Sequence, residues 1–99
     1  MIKHLQELLS IESVANHGEN GTPYGVGPAK ALEYMLTLCE QLGFRTKNAG
    51  GRYGYAEIGA GKEIIGVLGH LDVVPAGSGW DYPPFGGTVD NGCLYGRGT

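Results

Sequence analysis

The apolar run Ile64–Pro75, reading IIGVLGHLDVVP, constrains the fold of this chain more than any other stretch. It is dense in β-branched and aliphatic residues, has no polar face and stops at a proline, which is the pattern of a strand buried on both faces inside a sheet. Side chains two apart on a strand point the same way, so His70 and Asp72 are expected to project together from its C-terminal end. That edge of an α/β sheet is where sites tend to form.

The rest of the chain reads as scaffold for this run. Ile2, Leu5, Leu8 and Leu9 share one helical face, predicting a short amphipathic helix over residues 2 to about 10, with His4 on the solvent side. Residues 13–27 turn to Asn, Gly, Ser and Pro, a loop that carries His17 beside Glu19. Pro28 suits the first turn of a second helix, and Leu32, Met35, Leu36, Cys39 and Leu42 recur at intervals of three or four until Gly43 closes it.

Short strands are expected at 44–48 and 53–58, with Gly59–Ala60–Gly61 turning the second directly into the apolar run as its antiparallel neighbour. A glycine- and proline-rich loop then carries Trp80, Tyr82 and Phe85, too aromatic to stand in solvent. These aromatics either line a pocket beside His70 or fold down over a sheet edge. The Asn91–Gly92 pair between Thr88–Val89 and Leu94–Tyr95 predicts a final β-hairpin, because both turn residues tolerate positive φ. The expected fold class is α/β, two helices on a mixed sheet plus a C-terminal hairpin, making one small domain of 99 residues.

Composition removes several function classes. A formal net charge of −3 without any cluster of basic residues argues against nucleic acid as a partner. The N-terminal residues alternate apolar and polar at helical spacing, so they form neither a signal peptide nor a membrane span, and a cytoplasmic setting is expected. Cys39 and Cys93 lack the spacing of a zinc knuckle or a redox pair and are expected reduced, although spacing alone does not exclude a bridge between them. No phosphate loop, HExxH helix or nucleophile elbow is present.

What remains is His70 and Asp72. A neutral imidazole is a good zinc ligand, and a carboxylate on the same side can accept its other N–H and fix the tautomer. His-x-Asp alone is not specific, since a histidine at a strand end is more often a hydrogen-bonded structural residue. His4 and His17 have no partners at ligand spacing, and Arg97 between glycines suits an anion contact or a plain surface.

The longer stretch GHLDVVPAGSGWDYPPFGGTVDNGCLYGRGT, together with the apolar residues before it, resembles the N-terminal signature of the zinc aminopeptidase-like hydrolases. These include aminoacylases, succinyl-diaminopimelate desuccinylases and Xaa-His dipeptidases. The Trp80, Pro83–Pro84–Phe85 and Asp90–Asn91–Gly92 details look most like the bacterial Xaa-His, carnosinase-like dipeptidases. The resemblance implies that His70 is the first zinc-ligating histidine and Asp72 the acidic residue that orients it. It also implies that Gly96–Arg97–Gly98 leads into an aspartate bridging two zinc ions, which would fall just beyond Thr99.

On this reading the chain is an N-terminal piece of a cytosolic two-zinc metallopeptidase that hydrolyses dipeptides. The general-base glutamate and the other ligands would come from later in the parent chain, so the piece alone is expected to be inactive. A deacylase or desuccinylase of the same family is the nearest alternative. A non-catalytic interaction module, offering an unpaired strand edge to another chain or to its own copy, is the alternative from a different class.

Overall fold

The computed structural model describes residues 1–19 and 21–99. Two helices come first, α1 over Ile2–Leu9 and α2 over Val26–Gln41. Four short strands follow: β1 Arg45–Ala49, β2 Tyr53–Glu57, β3 Thr88–Asp90 and β4 Cys93–Tyr95. They form two separate antiparallel pairs, β1 with β2 and β3 with β4, so the α/β class holds.

The helices end where local chemistry stops them. α1 carries its apolar face toward Leu9, which is buried, and α2 buries Ala31. α2 starts two residues before Pro28, so the missing proline N–H falls in the first turn, where it costs no helical hydrogen bond. At the other end Gly43 takes φ 89°, and the Phe44 amide donates back to the Cys39 carbonyl at 3.0 Å, a glycine-closed C-terminus. α1 and α2 meet through Tyr34, whose hydroxyl donates to Glu7 Oε2 at 2.7 Å.

α2 packs on the β1–β2 hairpin, with a hydrogen bond from Thr46 Oγ1 to the Glu40 carboxylate. The strand pairing sets Ala49 opposite Tyr53 and Arg45 opposite Glu57, and the latter pair is bridged at 3.0 Å. At the second hairpin Asn91 and Gly92 adopt φ 47° and 78°, the positive values that a two-residue turn of this hand requires. The expected turn chemistry is what closes it.

The apolar run departs from expectation. Residues 62–72 belong to no strand, and β2 pairs with β1 rather than with this run. Ile64, Ile65, Val67 and Leu68 are 88%, 95%, 96% and 99% exposed, so the strand expected to be buried on both faces is covered on neither. The mixed sheet is therefore not assembled among the described residues. β2 pairs with β1 across the shorter link, and its other edge makes no ladder with the run. A parallel bridge between Val14 and Val73 is its sole ladder contact among the described residues.

Burial follows from that opening. Among the described residues, Leu9 and Ala31 are the buried hydrophobics and Ser13 the buried polar residue. The Cα radius of gyration is 15.0 Å, against about 13 Å for a closed domain of this length. No helix among the described residues is long and apolar enough to cross a membrane.

Candidate functional site

His70 and Asp72 lie where the apolar run first touches the rest of the chain. Val73 N donates to the Ser13 carbonyl at 3.1 Å, and Ser13 Oγ donates to the Leu71 carbonyl at 2.7 Å. Three residues beyond Val73, the Ala76 carbonyl accepts from both Trp80 Nε1 at 2.9 Å and Arg97 Nη2 at 3.0 Å. The segment is thus held on one side by the loop after α1 and on the other by the residues after β4.

Within this frame the two side chains meet as the strand periodicity predicts. His70 Nδ1 lies 2.9 Å from the Asp72 backbone carbonyl and 3.3 Å from Asp72 Oδ1. A carbonyl oxygen only accepts, so Nδ1 carries the proton and donates. In the neutral ring that leaves the Nε2 lone pair bare, and the side chain is 81% exposed. This is the protonation pattern of a metal-ligating imidazole whose orientation is fixed by a neighbouring carboxylate residue.

A cleft of about 440 Å³ opens beside the pair. Tyr24, Pro28, Leu32 and Tyr53 form one wall, and Leu68 to Asp72 form the other. The aromatic loop takes no part in that lining. Trp80 instead lies under the Arg97 guanidinium at 5.0 Å, and Tyr82 stacks on Tyr95 with ring centroids 4.5 Å apart. Tyr82 Oη donates to Asp90 Oδ2 at 2.6 Å, and that bond to a carboxylate raises the phenol's pKa above its ordinary value. Of the two roles open to these aromatics, the structure favours docking on the hairpin.

The other candidates do not converge on the pair. His4 sits between Tyr34 and Glu7, 3.3 Å and 3.4 Å away, as part of the helix–helix contact. His17 lines a separate loop cleft with Glu12 and Glu19. Cys39 and Cys93 are both free thiols, so the bridge left open by spacing is not made. Among the described residues no group of three or more His, Cys, Asp or Glu side chains is placed to hold a metal ion. His70 and Asp72 are in contact with each other, and among the described residues they belong to no larger group of metal-type side chains.

Two residues at the site carried little sequence signal. Ser13 looks like any loop serine, yet it is 4% exposed and grips the peptide between His70 and Asp72. Arg97 read as an anion contact or a surface residue, and its partners turn out to be Trp80 and Ala76. Only the aromatic content of the loop hinted at that role.

Residues 66–99, the part that holds both site residues and the hairpin, match the family described as Peptidase family M20/M25/M40. Across its whole length it is 44% identical to "Putative dipeptidase SH1171" of Staphylococcus haemolyticus (strain JCSC1435) and 45% identical to "Putative dipeptidase YtjP" of Bacillus subtilis (strain 168). A "Putative dipeptidase" of Staphylococcus epidermidis (strain ATCC 12228 / FDA PCI 1200) is 43% identical. The chain covers 22% of the length of each of these three relatives.

Proposed function

We propose that this chain is the His70-bearing part of a metal-dependent peptidase that hydrolyses dipeptides. The observation that carries the reading is the His70–Asp72 contact, with Nδ1 donating to Asp72 and Nε2 left free, inside the segment that matches the peptidase family. The relatives named as dipeptidases support the substrate class.

In this reading His70 holds a metal through Nε2, and Asp72 keeps the ring turned and raises its basicity. Zinc is the ion that imidazole nitrogen and carboxylate oxygen donors suit, and when bound it would polarise the scissile carbonyl and activate water. The described residues fit one side of such a centre. The remaining ligands, a second ion and the general base belong to parts of the parent protein outside these 99 residues, so the isolated chain has no peptidase activity. A free amino end and a C-terminal histidine on the dipeptide are the preferences we assign. Two free thiols accord with a cytoplasmic enzyme.

The test is hydrolysis by the full-length parent. Alanyl-histidine and alanyl-alanine should both be cleaved, the first faster, with activity removed by a chelator and restored by zinc. Cleavage of N-acyl or N-succinyl amino acids without dipeptide cleavage would move the reading to a deacylase. Chelator-insensitive hydrolysis, or hydrolysis by the 99 residues alone, would sink it.

The exposed Ile64–Leu68 run favours one further reading, an interaction module whose open backbone edges accept a strand from another chain. Tight stoichiometric capture of a partner by the 99 residues, unaffected by zinc, would support that reading over the enzyme.

A further inference from the structure

We propose that Ser13 is a positioning residue for the His70–Asp72 pair. The inference rests on the metallopeptidase reading above and adds a residue that neither ligates metal nor touches substrate.

Among the described residues, two hydrogen bonds tie residues 64–74 to Ser13, beside the parallel bridge between Val14 and Val73. The Ser13 hydroxyl donates to the Leu71 carbonyl, which belongs to the peptide joining Leu71 to Asp72. Its own carbonyl accepts from Val73 N, which belongs to the peptide on the far side of Asp72. Asp72 is therefore clamped at both flanking peptides. Because His70 Nδ1 bonds the Asp72 backbone carbonyl, the orientation of that second peptide also sets the orientation of the imidazole.

Ser13 is a stiff anchor for this clamp. It is 4% exposed, and the first turn of α2 presses against it. A Cβ at Gly27 would fall 2.0 Å from the Glu12 carbonyl oxygen and 3.1 Å from Ser13 Cα, so only glycine admits that approach. Removing the hydroxyl leaves the Leu71 carbonyl without its protein donor, so that Asp72 is held at one flanking peptide instead of two, the bond from Val73 N to the Ser13 carbonyl remaining. The neighbouring run offers no ladder to resist rotation, since Val67 and Leu68 are almost fully exposed. Partners that orient a ligating histidine typically affect metal affinity by roughly 10–100-fold, and Ser13 acts one bond further out, at about the tenfold end.

The test uses the full-length parent carrying Ser13→Ala, with Tyr34→Phe as a control that breaks the α1–α2 contact away from the pair. Zinc affinity is measured by competition with a chromophoric chelator, at a temperature where circular dichroism shows every variant folded. The expected result is zinc binding weakened roughly tenfold in Ser13→Ala and unchanged in Tyr34→Phe. Should Ser13→Ala fail to fold, Ser13→Cys takes its place, since a thiol of similar shape is only a weak donor and should weaken zinc binding in the same direction. Zinc affinity equal to wild type, or lowered as much in Tyr34→Phe, would overturn the positioning role while leaving the metallopeptidase reading intact. A wild-type parent that binds no zinc would overturn both.

Discussion

The Arg97 guanidinium lies 5.0 Å above the Trp80 ring and donates through Nη2 to the Ala76 carbonyl, so one side chain fastens the loop after the apolar run to the residues after β4. The Trp80 indole donates to the same carbonyl. Among the described residues Arg97 Nε is buried without a partner, which marks stacking and the Nη2 bond as the main anchors.

Trp80 is the only tryptophan in the chain, so its fluorescence reads this clamp directly. Arg97→Ala should shift the emission to longer wavelength, because the ring loses its cover, and should destabilise the loop by about 1 kcal/mol through the lost cation–π contact. Arg97→Lys should recover only part of this, since an ammonium keeps the charge but not the planar stack. An unchanged spectrum in Arg97→Ala would show that Arg97 does not cover the ring.

The Tyr34–Glu7 bond should make the α1–α2 contact pH-dependent at both ends. Loss of hydration, reinforced by the bond to Glu7, pushes Tyr34 up to about 12 from an ordinary 10.0, so its stabilising share is present below pH 10 and disappears as pH rises toward 12. Glu7 is held below its ordinary 4.5, chiefly by accepting from Tyr34, so its share is present above that value and disappears as pH falls below it. Urea midpoints across pH should show both losses in the wild type and neither loss of this contact in Tyr34→Phe. Parallel curves for the two proteins would refute the linkage.

The exposed run predicts behaviour in solution. With Ile65 and Val67 about as exposed as in an extended peptide, the 99 residues alone should self-associate through unpaired strand edges. Val67→Lys should reduce that association in sedimentation velocity. In the full-length parent the same change should lower the melting temperature, because there we expect the run to be covered and an unpaired charge on it to be buried. A monomeric wild-type chain at high micromolar concentration would contradict the first expectation.

Asp72 should matter less than His70. In the full-length parent, Asp72→Ala keeps the backbone carbonyl that His70 Nδ1 bonds and removes only the carboxylate 3.3 Å away. Zinc affinity should fall by roughly 10–100-fold rather than vanish. Complete loss of metal would show that the carboxylate is itself a ligand.

The elements that rest on local chemistry were legible in the sequence. Leu32, Leu36 and Cys39 announce α2 by their spacing, Gly43 ends it, and Asn91–Gly92 makes the β3–β4 turn, all without help from distant residues. The side-by-side placement of His70 and Asp72 follows from two-residue periodicity in an extended backbone, whether or not that backbone is paired. Partnership was not legible. Apolarity in Ile64–Leu68 says that the segment suits burial but not what buries it, and β2 found β1 through the shorter link across Gly50–Gly51. Ser13 was hidden because a serine hydroxyl gives no hint in sequence of a carbonyl 58 positions away.

In the proposed enzyme His70 presents Nε2 to a metal ion. This is tested most directly by the zinc content of the full-length parent and of its His70→Ala variant, purified alike and weighed against protein concentration. The wild type is expected to hold zinc, and the variant to lose at least one ion per chain while remaining folded. Equal zinc content in the two proteins would contradict this.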